Sequence, residues 1–186
     1  MLEVEVRYRT DDRAGVIARL LAFGANLAED RIDIDQYYNA PDRDLKTSDE
    51  AFRHRRIGEK NCLTYKGPKR DTETKTREEI EIALGEGASV AADAGRMLTA
   101  LGFKPVVIVR KARQVYQFTR GGFAMEACFD DVDFVGPFVE LEILAEEDQY
   151  EPAKTVLLQT ATELGLTEKE TRSYLGMVLA ARGEGT

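Results

Sequence analysis

The sequence predicts an α+β fold in which helices flank one large antiparallel sheet. Residues 2–9 alternate apolar and charged side chains without a break, which is the two-residue period of a strand with one apolar and one ionic face. Similar segments recur along the chain, separated by short turns that contain Gly or Pro. Two stretches near the end have helical spacing. Because closure removes the exposed edges of so large a sheet, we expect a closed barrel with flanking helices.

Each expected element has a local signal. Asp12 can cap a first helix over 13–28, and Gly102 ends a second helix over 88–101. The buried stripe of the first helix would contain Val16, Ile17, Leu20, Leu21 and Leu27. Terminal helices are expected over 149–164 and 168–180. Strand-like segments are expected over 2–9, 32–39, 51–57, 61–66, 75–84, 104–111, 113–119, 122–130 and 138–145. All belong to one domain over 1–186, with a frayed tail at 182–186.

Composition limits the classes of partner. The net charge of −8 disfavours non-specific binding to nucleic acid. No apolar run approaches the roughly 20 residues that span a bilayer, and no leader-like segment precedes the first strand, so we expect a cytoplasmic protein without a membrane partner. Cys62 and Cys128 lack the spacing of a zinc site. The sequence leaves open whether the chain forms a homodimer.

Period-two alternation gathers acids and cations on one face of strand after strand. Glu3 and Glu5, two apart on a strand, lie about 7 Å apart and can both reach one divalent cation. An open sheet with one solvated face would explain the same alternation. If that face instead lines a lumen, the buried charges need partners, and a polyanion with a divalent metal would satisfy both signs. Asp33 and Asp35 fit either a metal site or a polar strand end.

Short charged motifs follow one another in an order that resembles a known family. They are Glu3-Val4-Glu5-Val6-Arg7, Asp35-Gln36-Tyr37, Arg53-His54-Arg55, Thr64-Tyr65-Lys66-Gly67-Pro68, Arg77-Glu78-Glu79-Ile80-Glu81, Lys111-Ala112-Arg113, the acidic turn from Asp130 to Phe138, Glu140 with Glu142, and Arg172-Ser173-Tyr174. In this order they resemble the CYTH superfamily, the triphosphate tunnel metalloenzymes, which include class IV adenylyl cyclases, thiamine triphosphatases and inorganic triphosphatases. One position departs from the family signature, because Arg7 stands in place of a lysine.

The resemblance implies an eight-stranded antiparallel tunnel that holds a nucleoside triphosphate or another triphosphate, with Mg²⁺ or Mn²⁺ as cofactor. The implied metal ligands are Glu3, Glu5, Asp130, Glu140 and Glu142. The implied substrate-binding residues are Arg7, Arg53, Arg55, Lys66, Arg77, Lys111 and Arg113. The implied catalytic residues are Lys66, Tyr37, Lys111 and Arg113, with Tyr37 tuning Lys66 as a tyrosine is thought to do in the hydrolase branch.

The motifs do not decide the reaction, because a cyclase and a hydrolase use the same cations and metals. Arg172-Ser173-Tyr174 and Leu101-Gly102-Phe103 are similar to the cyclase branch, which favours conversion of ATP to cyclic AMP and pyrophosphate. The pair of Tyr37 and Lys66 suits a triphosphatase equally well. A non-catalytic module that binds polyphosphate or a nucleotide is a further alternative, and Arg7 is the one residue that favours it.

Overall fold

Eight long strands form a closed antiparallel barrel in the computed structural model, which describes residues 2–183. The strands are β1 (Leu2–Arg9), β2 (Asn26–Asn39), β3 (Ala51–Ile57), β4 (Lys60–Lys66), β5 (Arg77–Glu86), β6 (Lys104–Arg120), β7 (Phe123–Val132) and β8 (Gly136–Ala145), followed by the short β9 (Glu168–Lys169). The helices are α1 (Arg13–Ala22), α2 (Ala88–Ala100), α3 (Tyr150–Glu163) and α4 (Tyr174–Ala181). The predicted barrel with flanking helices is therefore confirmed.

The barrel closes between its first and fifth strands. Neighbouring strands follow the order β5-β4-β3-β2-β6-β7-β8-β1, and β1 pairs again with β5 through Leu2–Glu78 and Glu3–Arg77. Just beyond this short pairing, the backbone N–H of Lys75 donates to the carbonyl oxygen of Glu5 at 2.8 Å. The ionic faces of β1 to β8 consequently turn toward one shared lumen.

The main hydrophobic core lies outside the barrel wall, between β1, β7 and β8 and the helices α1 and α3. Val4, Leu141, Leu20 and Leu157 are fully buried there. Because the apolar side of each of these strands packs on helices, its alternate residues must face the lumen. The packing of α1 and α3 thus directs Glu3, Glu5 and their neighbours inward.

A second core cluster seats α4 on the barrel. Met177 and Val178 of α4 pack with Val107 and Val109 of β6 and with Phe138 of β8. The start of α4 is fixed by Ser173, whose hydroxyl accepts a hydrogen bond from the backbone N–H of Gly176. This cap holds the first residue of α4 against the lumen.

Several predicted boundaries were wrong. The first helix ends at Ala22 because Gly24 turns the chain at a φ of 83°, and β2 begins at Asn26. Leu27 therefore lies exposed on a strand, and Leu21, also predicted in the buried stripe, is exposed on α1. The segments over 104–111 and 113–119 form one strand, β6. The last helix begins at Tyr174 and not at 168, because Glu168 and Lys169 pair with β1.

Part of the predicted frayed tail, residues 184–186, lies outside the described residues. Arg182, the first residue of that predicted tail, forms the C-cap of α4, and its Cζ lies 4.8 Å from the ring centroid of Phe134. Over residues 2–183, no helix is long and apolar enough to cross a membrane.

Candidate functional site

The barrel lumen is a cavity of about 550 Å³ lined mainly by charged side chains. Several of these side chains are buried, with Lys111 exposed by only 2% and Glu140 by 3%. The charged lumen residues that the sequence singled out as site residues are Glu3, Glu5, Arg7, Arg53, Arg55, Lys66, Arg77, Lys111, Arg113, Glu140 and Glu142. Their convergence in one cavity follows from the alternation of each strand and the closure of the sheet.

Three carboxylates from β1 and β8 form the group best suited to a divalent cation. One oxygen from each of Glu3, Glu5 and Glu142 lies within 4.8 Å of the others. Within residues 2–183 the ion-pair partner of Glu142 is Arg113, whose Nη1 is 3.9 Å away. Burial raises the pKa of Glu142 to about 8, aided by the charges of Glu3, Glu140 and Glu5 and opposed by Arg113. Glu3 is paired with Lys66, and Glu5 with Arg7 and Lys75, so Glu142 is the member of the three with the fewest partners. Three carboxylate oxygens so close together are a donor set that Mg²⁺ or Mn²⁺ would fit.

The other two predicted metal ligands are bound to cations. Glu140 accepts a hydrogen bond from Nε of Arg7 at 2.6 Å and is also paired with Arg113. Burial alone would raise the pKa of Glu140, but Arg7 and Arg113 outweigh it and hold the pKa well below its usual range. Asp130 is fully buried and accepts two hydrogen bonds from Arg113, each 2.6 Å long. The arginines therefore make Glu140 and Asp130 less available to a metal than Glu142.

Asp33 and Asp35 of β2, left undecided by the sequence, serve as partners of the lumen cations. Asp35 accepts two hydrogen bonds from Arg55, at 2.7 and 2.8 Å, and lies 3.4 Å from Arg53. Asp33 lies 3.6 Å from the ammonium of Lys111 and 3.7 Å from Arg55. Burial opposes ionisation of Asp35, but Arg53 and Arg55 outweigh it and lower its pKa. These acids hold the cations in place when no anion is bound.

Lys66 pairs with carboxylates and not with Tyr37, the residue expected to adjust its pKa. Its ammonium lies 2.5 Å from Glu3 and 2.6 Å from Glu79. Burial would lower the pKa of Lys66, but these two carboxylates outweigh it and raise the pKa. The hydroxyl of Tyr37 instead accepts a long hydrogen bond from Arg53 at 3.5 Å. Within the described chain the predicted pairing of Tyr37 with Lys66 is not formed.

Sequence reasoning missed Lys75. Its ammonium lies 3.3 Å from Glu5 in the lumen, and burial lowers its pKa to about 8. Lys75 precedes Arg77 by two residues. The same alternation that selected Arg77 could therefore have selected Lys75. Its ordered position depends on the loop before β5, whose backbone bond to β1 no local pattern predicts.

Apolar side chains also line this cavity. This apolar collar consists of Leu45, Phe52, Val106, Leu175 and Leu179. The loop that carries Leu45 is held by Arg43, which donates two hydrogen bonds of 2.8 Å to Glu50. The collar combines residues from four separate segments, so no single motif could reveal it.

Comparison with known proteins places this architecture in a family. The model of the CYTH domain matches residues 1–174. A Methanocaldococcus jannaschii protein provisionally named adenylate cyclase is 37% identical over 142 residues, which are 76% of this chain and 77% of that protein. The adenylate cyclase CyaB of Aeromonas hydrophila is 29% identical over 178 residues, which are 92% of this chain and 86% of that protein.

Solved structures agree in fold. The PH1819 protein of Pyrococcus horikoshii has a TM-score of 0.82 and 34% identity, and the match covers 97% of this chain and 99% of that chain. A Hippeastrum protein, HpAC1, has a TM-score of 0.67 at 18% identity over 98% of this chain and 96% of that chain, which shows a shared fold alone. Taken with the match over residues 1–174, these findings show that the chain belongs to the CYTH domain family.

Proposed function

We propose that this chain is a metal-dependent enzyme that acts on a triphosphate inside the barrel, as an adenylyl cyclase that converts ATP to cyclic AMP and pyrophosphate. The observation that carries the proposal is the cluster of three carboxylates formed by Glu3, Glu5 and Glu142. These carboxylates line the same lumen as many lysine and arginine side chains. A metal bound to those carboxylates and a polyanion bound to those cations would neutralise each other. The names of two relatives favour the cyclase reaction.

The cations of the lumen form the binding surface for the phosphates. Arg53, Arg55, Lys66, Lys75, Arg77, Lys111 and Arg113 all line the cavity. In the barrel Arg55 donates to Asp35, and Lys66 lies beside Glu3. Phosphate oxygens would take over part of these bonds, and arginine suits them because its planar fork matches two oxygens at once. Lys66 then acts as a fixed positive charge and not as a base, because its neighbouring carboxylates favour the ammonium.

Mg²⁺ or Mn²⁺ would be held by Glu3, Glu5 and Glu142. Glu140 and Asp130 would hold Arg7 and Arg113 in place beside them. When bound, such an ion neutralises charge on the phosphates and on the leaving group. The chain itself supplies the placement: β1 and β8 pair in register, with Glu5 opposite Glu142. That register fixes the two carboxylates side by side before any ligand enters.

The apolar collar favours a substrate with an organic group. A cyclase must hold the base and ribose so that the 3′-hydroxyl lies in line with the α-phosphorus. Phe52 and Leu175 give that end of the molecule an apolar surface within the same cavity. An inorganic triphosphate makes no use of such a surface.

A triphosphatase is the second candidate. The cations of the lumen would grip the phosphates in the same way, and hydrolysis needs only a water in line with the terminal phosphorus. The Hippeastrum neighbour is described as a putative adenylyl cyclase with a dominant triphosphatase activity. This description of a protein with the same fold supports the triphosphatase as an alternative.

One assay separates the reactions. The protein is incubated with Mg²⁺ or Mn²⁺ and with ATP, thiamine triphosphate or tripolyphosphate, and cyclic AMP, pyrophosphate and orthophosphate are quantified separately. Cyclic AMP with equimolar pyrophosphate supports the cyclase, and orthophosphate without cyclic AMP supports the triphosphatase. Full activity in excess chelator contradicts metal dependence. Calorimetric binding of ATP or tripolyphosphate without turnover would instead identify a non-catalytic binding module.

A further inference from the structure

Arg7, the residue that replaces the signature lysine, is bound to protein groups on several sides. Its Nε donates to Glu140 at 2.6 Å, its Nη1 donates to the backbone oxygen of Arg172 at 2.8 Å, and its Nη2 donates to Glu5 at 3.2 Å. The side chain is only 6% exposed. Most of its donor groups are therefore used before any substrate enters.

Tyr174, the first residue of α4, covers the face of the same guanidinium. The Cζ of Arg7 lies 3.6 Å from the centroid of the tyrosine ring, which is a close cation–π stack. The hydroxyl of Tyr174 donates to Oδ2 of Asp130 at 2.8 Å, and its ring packs edge-on against Phe138. Tyr174 is 6% exposed. It thus links α4 to two charged residues of the lumen at once.

These contacts close a circuit through the candidate site. Tyr174 donates to Asp130, Asp130 is held by Arg113, Arg113 pairs with Glu140, and Glu140 accepts from Arg7, which stacks on Tyr174. A lysine at position 7 would keep the charge but lose the flat stacking surface and the forked donors. The arginine is thus matched to the aromatic ring that α4 brings to the lumen.

The segment before α4 is tied to the same strand. Lys169 pairs with Tyr8 of β1, and the backbone N–H of Glu170 donates to the carbonyl oxygen of Arg7 at 2.8 Å. The backbone of Arg7 and its side chain consequently both hold the region over 168–174. This double attachment fixes the position of the Tyr174 ring against the barrel.

We infer that Tyr174 is a positioning residue of the site, which together with Arg7 fixes the carboxylates of Asp130 and Glu140. Arg7 serves these contacts and does not bind the triphosphate. The kinetic test of this inference rests on the proposed function. If the circuit orients groups that act in the transition state, its loss should lower kcat and leave the substrate KM nearly unchanged. A group that touched the substrate would change KM.

The first experiment compares two tyrosine-to-phenylalanine variants. Tyr174→Phe keeps the ring and removes only the hydroxyl bond to Asp130. Tyr150→Phe is the matched control, because the Tyr150 hydroxyl donates to Asp71 outside the lumen. We expect Tyr174→Phe to lower kcat by roughly tenfold or more with KM within roughly threefold, and Tyr150→Phe to leave both unchanged. An unchanged kcat, or a loss confined to KM, in Tyr174→Phe would overturn the inference.

The second experiment asks whether the two residues act as one unit. Arg7→Lys should also lower kcat, and the double variant Arg7→Lys/Tyr174→Phe should cost little more than the worse single variant. If the losses of kcat in the two single variants multiplied in the double variant, the two residues would act independently and the inference would be overturned.

A spectroscopic measurement needs neither variants nor activity. In the wild-type protein, nuclear Overhauser effects are expected between the side-chain protons of Arg7 and the ring protons of Tyr174, and their absence would refute the stack. Their presence in a protein that turns over no triphosphate would refute the proposed function and leave the contact between Arg7 and Tyr174 in place.

Discussion

Glu142 should make the metal-free protein less stable as pH rises. Its pKa is about 8 in the folded barrel against an ordinary 4.5, so the folded state binds this proton more tightly than the unfolded chain does. The stabilisation is complete below about pH 4.5 and is lost as pH rises through 8. Because one pH unit corresponds to about 1.4 kcal/mol, the loss is on the order of 5 kcal/mol, a large part of the stability of a typical domain.

The assay is urea unfolding in excess chelator at pH 5, 7 and 9. Glu142→Gln mimics the protonated carboxyl, so it should match the wild type at pH 5 and exceed it by several kcal/mol at pH 9. The exposed Glu151→Gln of α3 is the control and should follow the wild type at every pH. Mg²⁺ should reduce the pH dependence of the wild type alone, because it favours the ionised carboxylate. Parallel curves for wild type and Glu142→Gln would refute the reasoning.

Three further predictions follow from buried groups. Glu140→Gln should lower kcat at least a hundredfold in steady-state assays, because it weakens the partner of Arg7 and Arg113, and a rate near that of the wild type would contradict its place in the site. Asp35→Asn leaves Arg55 short of a buried counter-charge and should lower the free energy of unfolding in urea by about 3–5 kcal/mol. Leu157→Ala should cost about 2–5 kcal/mol in the same measurement, whereas the exposed Leu144→Ala should cost less than about 0.5 kcal/mol, and similar losses in both would contradict the assigned core.

Local periodicity predicted much of the barrel because each strand is amphipathic by itself. The alternation over 2–9 places Glu3 and Glu5 on one face, and the helices that bury Val4 then send that face inward. The ends of elements were less predictable. The apolar residues of 13–28 fit a helical stripe through Leu27. In the structure Gly24 follows the end of the helix, and the residues from Asn26 onward pair with β6 as a strand.

Partners across the lumen lay beyond sequence reasoning. Glu140 meets Arg7 because β1 pairs with β8, two strands far apart in the chain. The role of Asp35 depends likewise on its register with Arg55, set by the pairing of β2 and β3. Alternation gives the face on which a side chain lies, whereas strand order and register give its neighbours, and the neighbours determine whether a carboxylate is available to a metal or already bound to an arginine.

The charged residues of the lumen form ion pairs with one another, and this has a consequence for binding. A triphosphate alone would separate Arg55 from Asp35 and Lys66 from Glu3, leaving buried carboxylates without partners. A divalent cation alone would satisfy the group of Glu3, Glu5 and Glu142 but would add positive charge to a cavity that already contains many cations. Bound together, each supplies the counter-charge that the other displaces. The two affinities should therefore be positively coupled. By linkage, the triphosphate must raise the affinity for the metal by the same factor by which the metal raises the affinity for the triphosphate.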